Sequence, residues 1–270
     1  MSYRLAFRFT FFQTRRSDTF HGRAGSGADT ITFDSSLSNA TITLGLLLPN
    51  ITDDLTIDGS SLILPVTIDG AGTYRVFYVD SITVTLDSLI ISHGASSNGG
   101  GLYNNGGAVN ITDSTFSDNS TACTGSSCNS QGGGVYNDGT LNITNSTFSH
   151  NNAACASFAC HSWGGGIYNN GGTLTVTNST FSDNSTTCNY DYCGSEGGGI
   201  LKHDPSTLPV TNSTFSGNSA ACTGHGCYSL GGGIFDNGGI VFHAAFGPIG
   251  IGRETPQSFL QVSFSGKLKS

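Results

Sequence analysis

Three sequence markers recur in phase, and this recurrence constrains the fold of the chain more than any other feature does. The first marker is Gly-Gly-Gly followed by Leu, Val or Ile, which begins at Gly99, Gly132, Gly164, Gly197 and Gly231. The second is Ser-Thr-Phe-Ser-x-Asn, whose phenylalanines are Phe116, Phe148, Phe181 and Phe215. Successive copies of each marker lie 32 to 34 residues apart. Self-similarity with such a period indicates a solenoid or a repeat array.

The cysteines are the third marker. All eight cysteines of the chain fall into Cys-x4-Cys pairs that keep the same step, namely Cys123 with Cys128, Cys155 with Cys160, Cys188 with Cys193, and Cys222 with Cys227. Chance does not keep three independent markers in phase over four repeats. The repeat is therefore a structural unit.

The pattern inside a repeat favours strands over helices. Charged residues make up only 10% of the chain and 39 residues are glycine, so the helix formers that a helical repeat needs are scarce. Between residues 173 and 181, Leu174 and Val176 alternate with Thr175 and Thr177, as residues on opposite faces of a strand do. The Gly-Gly-Gly marker and the Phe marker supply two further strands per repeat. The sequence therefore predicts an all-β fold, a single-stranded parallel β-helix of about seven to eight coils.

The chain divides into three segments on the same criteria. Residues 27–240 are predicted to form the β-helix, with loopless coils over 27–93 and coils that carry a loop of about ten residues with a cysteine pair over 94–240. Residues 1–26 and 241–270 lack the repeat marks and hold eight of the ten basic residues. One interpretation is that these segments cap the strand edges at the two ends of the solenoid. The other is that the chain is a fragment or carries termini from outside the repeat.

In-register stacking predicts columns of identical side chains. The marker phenylalanines should lie over one another in the core, where offset aromatic pairs contribute about 1 kcal/mol each beyond burial. A column at the turns is predicted to adopt the left-handed conformation and consists of Asp113, Asn145, Asn178 and Asn212. A second column, whose amides should hydrogen-bond along the stack, consists of Asn119, Asn151, Asn184 and Asn218.

The charge distribution limits the partners of this chain. Between Arg23 and Arg253 the only basic residues are Arg75 and Lys202, against sixteen acidic residues. A surface this acidic does not attract nucleic acid or an anionic membrane. The sequence also contains no run of about 18 apolar residues that would predict a transmembrane helix.

The cysteine pairs favour disulfide bonds. An even number of pairs, each within one loop, is typical of proteins in an oxidising compartment. Bonds between equivalent cysteines of adjacent coils are a second arrangement. Zinc is the rival interpretation, with His161 and His225 close to cysteines, but a structural zinc site needs a second half-site that one repeat does not supply. We therefore expect disulfides, no bound metal and no cofactor.

The Gly-Gly-Gly-[LVI] and Phe-x-x-Asn marks resemble the repeats of the polymorphic outer-membrane proteins, a family of bacterial autotransported surface proteins. They are equally similar to the wider group of bacterial right-handed β-helix repeat proteins. The resemblance covers residues 99–237 closely and residues 27–93 more loosely. It implies a right-handed helix of pectate-lyase-like architecture, and secretion, surface exposure and adhesion. We expect an extracellular or cell-surface location, although no export signal is recognisable in the sequence.

A carbohydrate-active enzyme is the alternative function, because polysaccharide lyases and hydrolases also use the parallel β-helix. A lyase needs a Lys or Arg near the abstracted proton, and a hydrolase needs two carboxylates about 5–10 Å apart. Asp53 with Asp54 is an adjacent pair, which a strand would direct to opposite faces. The residues 202–205 (Lys-His-Asp-Pro) break the repeat, and we interpret this break as divergence of one coil. A non-repeated cluster of carboxylates on one face would favour the enzyme.

The function favoured by the sequence is a non-catalytic structural or adhesive module, secreted or displayed on a bacterial surface. The strands would supply stiffness, and the variable loops would contact surface glycans or other cell-surface proteins. The residues predicted to make this contact are Phe158, Tyr190 and Tyr192. End-to-end self-association through the solenoid ends is a further expectation.

Overall fold

The protein forms a parallel β-solenoid whose coils are built from three short strands each. The computed structural model describes residues 28–125, 127–203 and 205–237, together with the backbone of residues 241–244. Every strand pairing in this part of the chain is parallel and joins one coil to the next. Side chains of residues 241–244 and the remaining residues of the predicted terminal segments lie outside the description.

Three sheets, A, B and C, enclose the core. Sheet A consists of Asp29–Thr32, Leu55–Asp58, Thr83–Asp87, Ala108–Thr112, Thr140–Thr144, Thr173–Thr177, Leu208–Thr211 and Val241–Ala244. Sheet B consists of Thr41–Thr43, Val66–Asp69, Leu89–Ser92, Thr115–Ser117, Thr147–Ser149, Thr180–Ser182 and Thr214–Ser216. Sheet C consists of Phe77–Asp80, Leu102–Asn105, Val135–Asn137, Ile167–Asn170, Ile200–His203 and Ile234–Asn237. A short 3-10 helix, Ser35–Leu37, lies in the first coil.

Six coils contain a strand of all three sheets, which confirms the predicted three-stranded coil. Sheets A and B extend beyond these six with eight and seven strands, so the predicted seven to eight coils include incomplete ones at the ends. Sheet A also continues past residue 240, because Val241–Ala244 pairs with Leu208–Thr211. One further strand is therefore added after the repeat marks stop.

The core follows the alternation of the sequence. Leu174 and Val176 are fully buried, and their in-register neighbours Leu141 and Ile143 are buried as well. Phe148 stacks between the marker phenylalanines of the adjacent coils with ring centroids 4.8–5.0 Å apart. The same contact continues to Phe215 at 4.8 Å, so the predicted aromatic column is confirmed.

The predicted amide column is confirmed as a chain of hydrogen bonds. Asn151 is fully buried, donates through Nδ2 to Asn184 Oδ1 at 2.9 Å and to Phe116 O at 2.9 Å, and accepts from Asn119 Nδ2 at 3.0 Å. Each of these amides therefore satisfies backbone groups at a corner of the coil as well as its neighbour in the column.

The corners confirm the predicted roles of asparagine and glycine. Asn145 has φ of 51°, and its equivalents in the column have φ of 47–51°, which is left-handed backbone that asparagine tolerates. The first glycine of the third triplet, Gly164, has φ of 62°. A Cβ on the second glycine, Gly165, would collide with the carbonyl oxygens of Ser185 and Gly198. The triplets are therefore needed where the backbones of successive coils approach most closely.

Candidate contact surface on a cysteine-closed fin

The cysteine-containing segments form two further sheets and not irregular loops. Sheet D consists of Ala95–Ser96, Ser120–Cys123, Asn152–Cys155, Ser185–Cys188 and Ser219–Cys222. Sheet E consists of Asn129–Gln131, His161–Trp163, Gly194–Glu196 and Tyr228–Leu230. We call these two sheets and the described parts of the turns that join them the fin, which covers residues 95–96, 120–125, 127–131, 152–163, 185–196 and 219–230. The predicted ten-residue loops were wrong in this respect, because segments of equal length stacked in register pair their backbones with the coil above and below.

The structure joins the two cysteines of each pair. The Cα atoms within the pairs are 5.9–6.3 Å apart, inside the range that disulfides adopt. No cysteine of the chain is left free. Sheet D also places equivalent cysteines in register, with Cys155 opposite both Cys123 and Cys188. The sulfurs therefore form one column along the fin.

Most of the buried polar side chains inside the fin have hydrogen-bond partners. Ser162 donates to the carbonyl oxygen of Thr187 at 2.7 Å and Ser195 to that of Ala221 at 2.8 Å, so sheet E is bonded to sheet D of the following coil. Thr121 and Thr186 are the exceptions in the interior, because their hydroxyls are buried and have no hydrogen-bond partner. At the edge of the fin the Trp163 Nε1 atom is likewise buried without a partner.

The predicted contact residues lie at the outer tip of the fin. Phe158, Tyr190 and Tyr192 are 52%, 50% and 59% exposed, more than most of the aromatic side chains that the structure describes. The rings of Phe158 and Tyr192 meet edge to face with centroids 5.7 Å apart. Tyr192 also stacks on His225 at 6.1 Å. The tip thus gathers aromatic residues from three successive coils into one exposed patch, which we call the tip patch.

Hydrogen bonds order the backbone of the tip. The amide of Ser127 donates to Phe158 O, that of Ala159 to Asp191 O, and that of Tyr192 to His225 O. The Asp191 side chain also accepts a hydrogen bond from the His225 amide at 2.7 Å. The tip patch is therefore held by a ladder between coils and presents a defined surface. The backbone of His225, in the segment Gly224-His225-Gly226, is part of this ladder through both its amide and its carbonyl group, so this residue helps to hold the tip together.

A second aromatic column, which the sequence analysis missed, joins the fin to the solenoid. Tyr103 stacks on Tyr136 with centroids 4.4 Å apart, and Tyr136 contacts Tyr168 at 5.4 Å, along the outer face of sheet C. Trp163 of sheet E packs against Tyr168 at 5.5 Å. The signal was present in the sequence, because Tyr follows Gly-Gly-Gly-[LVI] in three repeats. We call this contact between sheets C and E the seam.

The polar contacts of the seam centre on Tyr228 and Tyr168. Tyr228 Oη donates to Glu196 Oε1 at 2.8 Å and lies 3.3 Å from His161 Nδ1. Burial, with smaller effects of the Glu196 and Asp138 charges, raises the pKa of Tyr168 to about 12. Burial also raises the pKa of the Asp138 carboxyl. The charges of Glu196 on the fin and Asp138 on the solenoid thus add to the effect of burial on the pKa of Tyr168.

The two basic residues of the β-helix, Arg75 and Lys202, make contacts that hold the structure together. Arg75 donates to Ser96 Oγ at 2.7 Å and to Asn98 O at 2.8 Å, and its guanidinium lies 5.1 Å from the centre of the Tyr103 ring. Lys202 is fully buried and donates to Asp236 Oδ1 at 2.7 Å. At Lys202 the break is thus an ion pair with the following coil, in which the lysine is buried and Asp236 is partly exposed. Asp204 lies outside the described residues.

Asp54 of the adjacent acidic pair also has a structural position. Asp54 accepts a hydrogen bond from the Thr83 amide of the next coil at 2.7 Å, and its carbonyl oxygen accepts one from Asp29 N. Asp54 therefore ties adjacent coils of sheet A together.

These features define a parallel β-helix with a disulfide-closed lateral fin. A family model described as the right-handed β-helix region matches residues 55–242, which is most of the chain, and the protein belongs to that family. Comparison with curated proteins and comparison with solved structures give no match. The family establishes the right-handed helix, and the finer resemblance to polymorphic outer-membrane proteins receives no support from the comparisons.

Two observations bear on where this protein is located, namely its disulfides and the apolar character of its helices. Four disulfides in one chain indicate an oxidising environment outside the cytoplasm. Among the described residues no helix has the length and apolar character needed to cross a bilayer.

Proposed function

We propose that this protein is a non-catalytic structural or adhesive module that is secreted or displayed on a cell surface, and that the tip patch is its contact surface. The single observation that carries the proposal is the exposure of Phe158, Tyr190 and Tyr192 together on an ordered edge. Aromatic side chains are large contact residues with few rotatable bonds, so they bind at low entropic cost. The disulfides below them keep this edge in place.

Surface glycans and other cell-surface proteins are the partners we propose. Sugar rings stack on exposed aromatic faces, and His225 and Asp191 lie beside the patch as hydrogen-bonding groups. The resemblance of the repeat marks to those of surface proteins supports the same assignment. The acidic body adds no attraction for anionic polymers, so recognition is assigned to the tip.

The test compares two triple variants of the oxidised protein. Phe158→Ala/Tyr190→Ala/Tyr192→Ala removes the tip patch, and we expect binding to immobilised glycans and to intact cells to fall at least tenfold. The matched control, Thr32→Ala/Thr41→Ala/Thr43→Ala, removes three exposed side chains of the first coils that lie in neither proposed contact surface. Unchanged binding by the tip variant would refute the assignment.

A carbohydrate-active enzyme is the second candidate, and one observation favours it. The partial burial that raises the pKa of the Asp138 carboxyl would suit a general acid, although the residue as a whole is exposed, and Glu196 supplies a second carboxylate to the seam, where it accepts a hydrogen bond from Tyr228. The test is the release of reducing ends or unsaturated sugars from a panel of polysaccharides. Activity that is lost in both Asp138→Asn and Glu196→Gln would establish the enzyme, and no release by the parent protein would exclude it.

End-to-end self-association is a third proposal about partners. Leu46, Leu47, Ile63 and Leu64 expose more than half of their side-chain surface near the first coils. Exposed apolar side chains of this kind favour association with a second copy. Sedimentation velocity over a hundredfold range of concentration tests this, because a single monomeric boundary throughout would remove the proposal.

A further inference from the structure

Stacking of the coils brings together two groups of three cysteine sulfurs, and each group draws on two repeats. The Sγ atoms of Cys123, Cys155 and Cys160 all lie within 4.8 Å of one another. A second group is formed by Cys188, Cys193 and Cys222, in which Cys193 Sγ is 3.7 Å from Cys222 Sγ. Each group joins both cysteines of one coil to one cysteine of an adjacent coil. The second half-site that the sequence lacks is thus supplied by stacking.

The separation between coils suits a thiolate-bound metal, because Cys193 Sγ and Cys222 Sγ are 3.7 Å apart. The two sulfurs that each group takes from one coil are joined as a disulfide, Cys155–Cys160 or Cys188–Cys193, and can move apart to ligand spacing only after reduction. Zinc binds cysteine sulfur at about 2.3 Å, which places two sulfurs of one tetrahedral site roughly 3.8 Å apart. Five of the six sulfurs belong to buried residues, and Cys222 is partly buried. Three thiolates with a fourth position open is a ligand set that zinc accepts.

An independent observation points to the same two places. The fin interior holds two buried hydroxyls without a hydrogen-bond partner, those of Thr121 and Thr186. Each stands two residues before a cysteine of one group, Cys123 or Cys188, and therefore on the same face of its strand. The other two coils have alanine at this position, Ala153 and Ala220. One unpaired hydroxyl accompanies each group of three sulfurs, where it could donate to a thiolate or to a fourth ligand.

We propose that the reduced form of this protein binds two zinc ions, or similar thiolate-preferring divalent metals, at these two three-cysteine sites. The disulfide form then excludes the metal, so the fin alternates between a metal-bound and a disulfide-closed state. Reduction of the four disulfides by a thiol or phosphine reductant consumes eight electrons and eight protons and yields eight thiols. Each zinc then displaces three thiol protons to the solvent. Oxidation by a disulfide reagent reverses the first step and releases the metal.

The test is a metal titration of the full chain kept reduced with a phosphine. Co²⁺ is the spectroscopic probe, since thiolate ligation gives an intense charge-transfer band, and Zn²⁺ is then used to displace it. We expect two ions per chain and no binding by the oxidised protein. A stoichiometry of four would mean that each Cys-x4-Cys pair chelates alone, and absence of the charge-transfer band would mean no thiolate site. Either result overturns the proposal.

Cysteine variants test whether the metal binds at the two groups of three cysteines or only depends on the number of thiols. Cys128 and Cys227 belong to neither group, so Cys128→Ser/Cys227→Ser should retain two ions. Cys155→Ser should retain one, and Cys155→Ser/Cys193→Ser none. Thr121→Val/Thr186→Val should keep two ions but weaken Zn²⁺ binding several-fold, which provides a readout in a chain with all eight cysteines. Equal loss in the Cys128/Cys227 variant and the Cys155/Cys193 variant would refute the grouping. Contact by the tip patch is measured on oxidised protein, so the two proposals fail independently.

Discussion

Lys202 donates a hydrogen bond to Asp236 at 2.7 Å at the place where a column of buried asparagines ends. In the preceding coils Asn104 donates to Asn137 at 2.7 Å and Asn137 to Asn169 at 2.6 Å, and Lys202 is the next residue in register. A neutral amide column is thus terminated by an ion pair. This arrangement makes Lys202 a structural residue in a coil where the repeat pattern fails.

Removal of the lysine should destabilise the coil. Lys202→Met leaves the Asp236 carboxylate, which is only 25% exposed, without this partner, and we expect a loss of about 2 kcal/mol in the free energy of unfolding. Lys202→Asn/Asp236→Asn should recover most of the loss, because it extends the amide column. Urea unfolding measures both. A double variant that is weaker than Lys202→Met would contradict this account.

The stacked phenylalanines should be the most sensitive core positions. Phe148 is fully buried between two rings, so Phe148→Ala removes packing and leaves a cavity that costs about 3–5 kcal/mol. Phe158→Ala at the tip should change the free energy of unfolding by less than about 0.5 kcal/mol, because that ring is half exposed. Thermal unfolding of the two variants gives the comparison, and equal losses would argue against the core position of Phe148.

The amide column should tolerate no truncation. Asn151→Ala removes two donors and an acceptor that serve buried groups, including Phe116 O and the Asn119 amide. Each unsatisfied buried group costs about 1–3 kcal/mol, so we expect a loss of at least 3 kcal/mol. The exposed Asn145 provides the control, since Asn145→Gly keeps the left-handed backbone and should be nearly neutral. Hydrogen exchange of the Asn119 amide would show whether the loss is local.

Alkaline pH should weaken the fold through the seam. The pKa of Tyr168 is raised to about 12 by burial, whereas an unfolded tyrosine ionises near pH 10. The unfolded chain therefore releases this proton first, and stability that is complete below about pH 10 is lost as pH rises toward 12. Tyr168→Phe should flatten this decline, and Tyr190→Phe at the exposed tip should not. Denaturant unfolding at pH 9 and pH 11 provides the measurement.

The disulfides should change both the intact mass of the protein and its thermal stability. Intact oxidised protein should be lighter than the reduced form by about eight hydrogens, since all eight cysteines are paired. Each bond closes a short loop, which in the chain-entropy model stabilises the fold by about 2 kcal/mol. Reduction should therefore lower the thermal midpoint without unfolding the solenoid core. Eight alkylated thiols in protein from an oxidising compartment would contradict the pairing.

Much of the scaffold could be predicted because its residues repeat. The columns of Phe148 and Asn151 follow from period and alternation, since a side chain that recurs once per coil is stacked on its own copy. The fin could not be predicted in the same way. Its strands are two to four residues long, and Asn129–Gln131 has no apolar alternation, so only pairing with the adjacent coil makes it a strand.

The non-repeated features were the hardest to predict. Lys202 reads as an isolated irregularity until Asp236 of the next coil is placed beside it. Thr121 and Thr186 look like ordinary strand residues, and only the closed fin shows that their hydroxyls lack a partner. In each case the decisive neighbour lies 30 or more residues away or in an opposing sheet.

By itself the sequence determined the class of fold, the residues of the core columns and the pairing step of the cysteines. These properties depend on spacing along one chain, and a solenoid converts sequence period directly into spatial neighbours. The tertiary structure decided how the cysteine segments become sheets, which aromatics join at the seam and which sulfurs of different coils meet. Those contacts depend on the lateral placement of the fin against sheet C and on stacking at atomic distances, which a period does not specify.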